Sequence, residues 1–335
     1  MLASAGSRLG LDVVIFDPQE NCPASRVAAQ TVTAAYEDLE AVARFAKSVD
    51  AVTYEFENVP VATAAEAARH APLRPGVKAL EVAQDRLVEK TFMNDHAAPT
   101  VAFQAVDSAE AATRAAEVLG VPAILKTRRF GYDGKGQAVV RAIEGAAKAF
   151  GDIGEKPAIL EAFAPFVREV SVIAARGVDG DILTYPLCEN AHANGILRET
   201  LAPAKASGPV ADEAVRIART LLEALDYVGV LAVELFELRD GTLLVNEIAP
   251  RVHNTGHWTD AACRVSQFEQ HMRAVAGWPL ADPAPIRPAR MINLIGDDVD
   301  AWQDWLTNPK ATLTLYGKRE TRRGRKMGHV TLFED

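Results

Sequence analysis

Two glutamates stand where a hairpin brings them together. The stretch GVLAVELFEL (residues 229–238) is followed by Asp240-Gly241 and then by TLLVNEI (residues 242–248). Asp-Gly between two apolar runs is the strongest short-range hairpin signal. With Asp240 and Gly241 as a two-residue loop, Arg239 faces Thr242, Leu235 faces Asn246 and Glu234 faces Glu247. Like charges placed opposite each other destabilise a strand pair. Glu234 also interrupts an apolar run, where an uncompensated charge is costly. A cation between the two carboxylates removes both penalties, and Mg²⁺ is commonly held by one or two carboxylates together with substrate phosphates and water. Asn246 is adjacent but points the other way unless the strand bulges. Two glutamates on a solvated sheet face are the competing reading.

A second group has the composition of an anion cradle. KTRRFGYDGKGQ (residues 126–137) holds four cations and three glycines, with the glycines between the strand-like runs VPAILKTRR and GQAVVRA. Such a turn offers unhindered backbone N–H groups, and Lys126 adds a point charge for a phosphate. It is not a P-loop, because no GxxxxGK(S/T) precedes a helix, and it is not a GxGxxG at a helix start. A solvated hairpin and a phosphate lid both fit these residues.

Directly after Glu247 comes a third cluster, NEIAPRVHNTGHWT (residues 246–259). Arg251 there suits a clamp on a phosphate or carboxylate, or is a surface arginine. His253 and His257 stand four apart, but Pro250 and Gly256 oppose a regular helix and no third nitrogen or sulfur ligand is near, so zinc is not expected. The tail GKRETRRGRKMGHV (residues 317–330) is a basic stretch in an acidic chain. It reads as a solvated patch or as a cationic pocket for one phosphate.

The elements that must position these residues alternate strand and helix at the front of the chain: a helix ending near Gly10, the strand LDVVIFDP, a polar connection, a helix through AAYEDLEAVARFAKSV and the strand AVTYEF. That order implies a parallel sheet. The chain opens inside a helix with no strand before it, so sequence missing at the front is expected. PLRPGVKALEVA (residues 72–83) marks a boundary, and DRLVEKTFMNDH begins a new lobe. There Ser108 and Gly120 bracket a helix, strands KPAILEAF and REVSVIAARG follow, and helix ADEAVRIARTLLEALDY precedes the hairpin. Helix SQFEQHMRAVAG closes an α+β lobe, and a short tail runs from about Asp282.

At 335 residues the chain is long enough for more than one packed lobe. A net charge of -9 argues against a protein that wraps nucleic acid. Its three cysteines, Cys22, Cys188 and Cys263, form no CxxC pair, which suits a reducing cytoplasm. No apolar run approaches a membrane span and the first residues make no convincing targeting signal.

In this order the pieces resemble the ATP-grasp superfamily and, within it, the N5-carboxyaminoimidazole ribonucleotide synthetase family. The residues that carry the likeness are YEFENVP (54–60), GYDGKGQ (131–137), NEIAPRVHNTGHWT (246–259), SQFEQH (266–271) and GRKMGHV (324–330). The likeness spans essentially the whole chain. It implies an α/β and α+β architecture: an N-terminal parallel-sheet pre-ATP-grasp domain (1–83), an ATP-grasp domain (84–281) and a small C-terminal domain (282–335). It also implies ATP and Mg²⁺, bicarbonate and 5-aminoimidazole ribonucleotide as small-molecule partners, and a homodimer, with neither nucleic acid nor membrane.

Carried over by position, the resemblance implies that Lys126 and the flap Gly131, Tyr132, Asp133, Gly134, Lys135, Gly136 and Gln137 hold ATP phosphates, with Arg86 approaching the nucleotide. Glu161, Ala162, Phe163 and Ala164 would present backbone and carboxylate to adenine, Glu169 would take the ribose hydroxyls, and His192 would lie beside the nucleotide. Glu234 and Glu247 would hold Mg²⁺, with Asn246 next to them. Tyr132, Asp133, Arg251, His253, Asn254, Lys318 and Arg325 would bind the ribonucleotide, and Asp133, Arg251 and Lys126 would serve catalysis. Family members usually begin with a strand and a GGGQLGRM turn, which this sequence lacks but for its methionine. A proline usual in the tail is Arg323 here. A nonenzymatic ATP-binding member and a formate-dependent glycinamide ribonucleotide transformylase are the rival functions.

Overall fold

The computed structural model describes residues 1–131 and 134–334. Its first helix, Leu2–Arg8, is short and built of small residues, with Ala3, Ala5 and Gly6 buried. The reason is close approach: a Cβ on Gly6 would lie 2.7 Å from Val13 and 2.9 Å from Met272, the latter on the helix Gln267–Ala276.

The strand Val14–Asp17 pairs in parallel with Gln30–Thr33, a strand in the stretch read as a polar connection. The strand expected at AVTYEF is reduced to a single bridge between Val52 and Leu73. Val52 exchanges backbone hydrogen bonds with the 72–74 segment, receiving from Arg74 N–H and donating to the Pro72 carbonyl. Its other side and the Val14–Asp17 strand line one cavity of about 1710 Å³, so no ladder joins them.

Among the described residues two sheets carry the rest. A four-stranded antiparallel sheet runs in the order Phe103–Val106, Ala158–Ala162, Ala123–Thr127, Gln137–Val140. The helix Ala109–Leu119 packs on it, with Ser108 accepting from the Ala111 N–H as its cap. The larger sheet has nine strands, with Leu243–Ala249 at one end, followed by Gly229–Leu238 and then Phe166–Arg176. It continues through Ile196–Ala202, which pairs with Ala289–Ile295 of the tail. The tail is therefore an extension of the same sheet. Helix Gly208–Ala224 buries Val210, Ala214, Ile217, Leu221 and Leu222 against it at helical spacing.

Candidate active site

Glu234 and Glu247 are paired residues on neighbouring antiparallel strands. The route to that pairing corrects the expected register. The loop has three residues, because Leu238 N–H donates to the Thr242 carbonyl at 2.9 Å and Gly241 takes φ +86°. Leu235 then faces Val245, not Asn246. Continued unbroken, this register would oppose Glu234 to Asn246 and turn Glu247 to the other face. A β-bulge at Asn246 restores the match.

Leu243–Ala249 is an end strand, and its outer edge is covered by the helix Arg86–Asp95. Arg86 Nη1 lies 2.8 Å from Glu247 Oε2. One turn on, Glu89 Oε1 accepts from the Ile248 N–H at 2.8 Å, and Lys90 Nζ donates to the Asn246 carbonyl at 3.1 Å. Lys126 Nζ sits 2.7 Å from Glu161 Oε2. The Glu161 carboxylate, 3% exposed, lies between Lys126 and Lys90. Beyond it, Ala162 donates its N–H to the Ala102 carbonyl, Phe163 is 52% exposed and Ala164 is buried.

The glycine-rich segment lies between its two strands as expected, with Lys126 opposite Gln137. Thr127 N–H donates to the Gly136 carbonyl. Gly134 and Gly136 have φ of +77° and +71°, and a Cβ on Gly134 would come within 3.2 Å of the Asn194 carbonyl. A Cβ on Gly131 would lie 3.3 Å from the Lys135 carbonyl and 3.9 Å from Arg86 Nε. The segment thus reaches from Arg86 to the turn at Asn194. Tyr132 and Asp133 lie outside the described residues. Glu169 and His192 are brought together, with His192 Nδ1 2.8 Å from Glu169 Oε2.

Arg251, His253, Asn254 and Lys318 line the large cavity together with Tyr54, Glu55 and Lys326. Two of these side chains also hold protein partners. Arg251 turns its Nε and Nη2 onto Glu57, the latter at 2.8 Å from Oε1. Asn254 exchanges amide hydrogen bonds with Asn293 at 3.0 and 2.7 Å, which ties the loop to a tail strand. Arg325 is not among the residues that line this cavity, whereas its neighbour Lys326 is; the Arg325 Nη1 donates to the Glu320 carbonyl. Glu57, Glu89, Lys90 and Lys326 carried no assignment in the sequence. Arg86, Glu89 and Lys90 share one helical face by spacing, and three charges on an inward face were the available signal.

Electrostatics separates the two acids. Burial, and then repulsion from Glu247, pushes the Glu234 carboxyl up to about 7. Burial acts the same way on Glu247, but the charges of Arg86 and Lys126 outweigh it and bring that group down to about 2. Burial, with the charges of Arg251 and Lys326, holds His253 neutral well below its ordinary value. Its Nδ1 accepts from the Thr255 N–H, so the ring proton is on Nε2, 3.2 Å from Glu234 Oε1. Burial pulls His192 down as well, but the hydrogen bond and charge of Glu169 leave it raised.

The donor set fits a hard divalent cation. Two carboxylates face each other, and the Asn246 Oδ1 is buried with no protein partner among the described residues. Among those residues no three His, Cys, Asp or Glu side chains gather at metal-binding distance, so further ligands must come from substrate and water, as Mg²⁺ prefers.

An acidic hairpin beside a glycine-rich flap, spanning two antiparallel sheets, defines an ATP-grasp enzyme, and residues 91–268 match the ATP-grasp domain. Residues 1–84 match the ribonucleotide synthetase preATP-grasp domain, and residues 289–335 match the phosphoribosylaminoimidazole carboxylase C-terminal domain. The chain belongs to the N5-carboxyaminoimidazole ribonucleotide synthase family. It is 50% identical over 333 residues to the N5-carboxyaminoimidazole ribonucleotide synthase of Brucella melitensis biotype 1, covering 99% of this chain and 92% of that protein. The crystal structure of N5-carboxyaminoimidazole ribonucleotide synthetase from Thermus thermophilus superposes with a TM-score of 0.93 at 47% identity, covering 100% of this chain and 91% of that one. The Aspergillus clavatus N5-carboxyaminoimidazole synthase, in complex with ADP and 5-aminoimidazole ribonucleotide, superposes with a TM-score of 0.94 at 30% identity, covering 100% and 90%.

Proposed function

We infer that the cleft between the two sheets carries out the family's reaction, the ATP-dependent carboxylation of 5-aminoimidazole ribonucleotide to N5-carboxyaminoimidazole ribonucleotide in purine biosynthesis, with bicarbonate as the carbon source. ATP phosphorylates a bicarbonate oxygen to give carboxyphosphate and ADP, and the exocyclic amine of the ribonucleotide attacks the activated carbon, releasing phosphate. Lys126, oriented by Glu161, meets the nucleotide phosphates from one sheet, and Arg86 approaches them from the helix that covers Glu247. Glu169 and His192, paired at 2.8 Å, form the ribose side.

Glu234, Glu247 and the Asn246 amide oxygen would hold Mg²⁺, which would supply charge neutralisation for the phosphoryl group. Arg251 is held by Glu57 at the junction with the large cavity, where its remaining N–H groups suit a carboxyphosphate oxygen. Lys318 and Lys326 line the same cavity and suit the ribonucleotide phosphate. Asp133, which lies outside the described residues, is the group that the family resemblance assigns to the amine. Flap closure keeps water from carboxyphosphate.

The observation that carries this reading is the pair of facing carboxylates beside an unpartnered Asn246 oxygen. The test is ADP release from ATP with bicarbonate and 5-aminoimidazole ribonucleotide, against formate and glycinamide ribonucleotide. Stimulation by the first pair alone is expected. Stimulation by the second pair would favour the transformylase, and binding of ATP without stimulated release would indicate a nonenzymatic member.

A further inference from the structure

Among the described residues the end strand Leu243–Ala249 has no neighbouring strand on its outer side, only an isolated parallel bridge between Val245 and Thr100, yet several of its polar groups there are satisfied. Val245 N–H donates to the Pro99 carbonyl at 2.7 Å, Ile248 N–H donates to Glu89, and the Asn246 carbonyl accepts from Lys90. The helix Arg86–Asp95 and the turn after it therefore replace a strand partner. Lys90 is the member of this set that sits at the bulge.

A bulge is a local defect in a ladder, and its extra residue is unpaired. Left without a partner, the part-buried Asn246 carbonyl would favour relaxation into the unbroken register, which opposes Glu234 to Asn246 and separates the two carboxylates. Lys90 meets that carbonyl with a charged donor. Its side chain is 0% exposed, and the same ammonium lies 3.3 Å from Glu161 Oε1. Glu161 in turn holds Lys126. One buried cation thus touches both halves of the site: the bulge that aligns the acids and the carboxylate that orients the phosphate lysine.

We propose that Lys90 is a positioning residue that pins the Asn246 bulge, and thereby the Glu234–Glu247 register, while fixing Glu161 behind Lys126. This role depends on the metal site proposed above. Lys90 itself reaches no substrate; it acts through backbone and through Glu161.

The experiment is equilibrium binding of ADP with and without Mg²⁺ to the full chain, as parent and as Lys90→Met, which keeps length and burial but removes the donor. In Lys90→Met the gain in ADP affinity conferred by Mg²⁺ should shrink by about 10–100-fold, the effect typical of partners that orient metal ligands. The KM for 5-aminoimidazole ribonucleotide should stay near the parental value. A matching rise in the ribonucleotide KM would instead report general structural damage, and it overturns the positioning role. Lys90→Gln, which retains a neutral donor for the Asn246 carbonyl, should fall between the two, and it is read in the same way if Lys90→Met does not fold. A parental Mg²⁺ gain retained in both variants overturns the role of Lys90. A parent with no Mg²⁺ gain overturns the metal site itself.

Discussion

At the scale of single residues the site is a contest between burial and charge. Glu234 and Glu247 are cross-strand partners, yet one is driven up to about 7 and the other down to about 2, because the charges of Arg86 and Lys126 act on Glu247. A group raised above its ordinary value near 4.5 contributes stability below that value and loses it as pH rises through its folded pKa. For Glu234 the window runs from about 4.5 to about 7; Glu247 remains ionised throughout it. Above the window both acids are charged and a bound cation relieves their repulsion. Within it, a proton competes with the metal. Mg²⁺ with ADP should therefore raise the melting temperature more at about pH 8 than at about pH 6. Glu234→Gln should lose most of that difference, which separates it from titration of the nucleotide. Equal shifts at both pH values in the parent would contradict the assignment. The acids themselves were legible in the sequence because a polar residue in an apolar run is conspicuous. The partners of Arg251 and Asn254 were not, since Glu57 and Asn293 lie far away along the chain and only the folded sheet brings them close.

At the scale of elements, the hairpin shows how a right pairing arose from two compensating departures. A two-residue loop and an unbroken ladder oppose Glu234 to Glu247; so do a three-residue loop and a bulge. Local turn chemistry fixes the loop, with Gly241 taking the left-handed conformation, whereas the bulge answers to a helix more than a hundred residues earlier, as Lys90 and Asn246 are separated by 156 positions. That second cause has no local signature. The flap was legible for the opposite reason, because glycine spacing is a local property. Gly136 has φ +71°, and a Cβ there would come within 2.5 Å of Thr127 Oγ1. Gly136→Ala should misplace the flap at a cost of about 1–2 kcal/mol, which converts to roughly a tenfold rise in the KM for ATP. Its melting temperature should change little. Steady-state kinetics with unaltered ATP dependence would show that the flap does not hold the nucleotide.

At the scale of the whole molecule, strand and helix types in the central lobe followed from periodicity and caps, while the connections between lobes did not. The tail reads in the sequence as a short run from about Asp282, and its strand Ala289–Ile295 pairs with Ile196–Ala202 and so extends the large sheet. The reciprocal Asn254–Asn293 amide pair fastens the loop after Glu247 to that strand. At the front, Val14–Asp17 is a strand as expected and its pairing is parallel, but its partner is Gln30–Thr33, a stretch read as a polar connection, and not residues 51–56, where Val52 bonds instead to the 72–74 segment. The proposed function converges on one point, an acid pair that would hold a cation bound to the nucleotide. The most direct measurement is ADP release by Glu247→Gln at saturating ATP, Mg²⁺, bicarbonate and 5-aminoimidazole ribonucleotide. A neutral amide leaves Arg86 unpaired and removes one ligand charge, so turnover should fall by about a hundredfold or more; a parental rate would contradict the account.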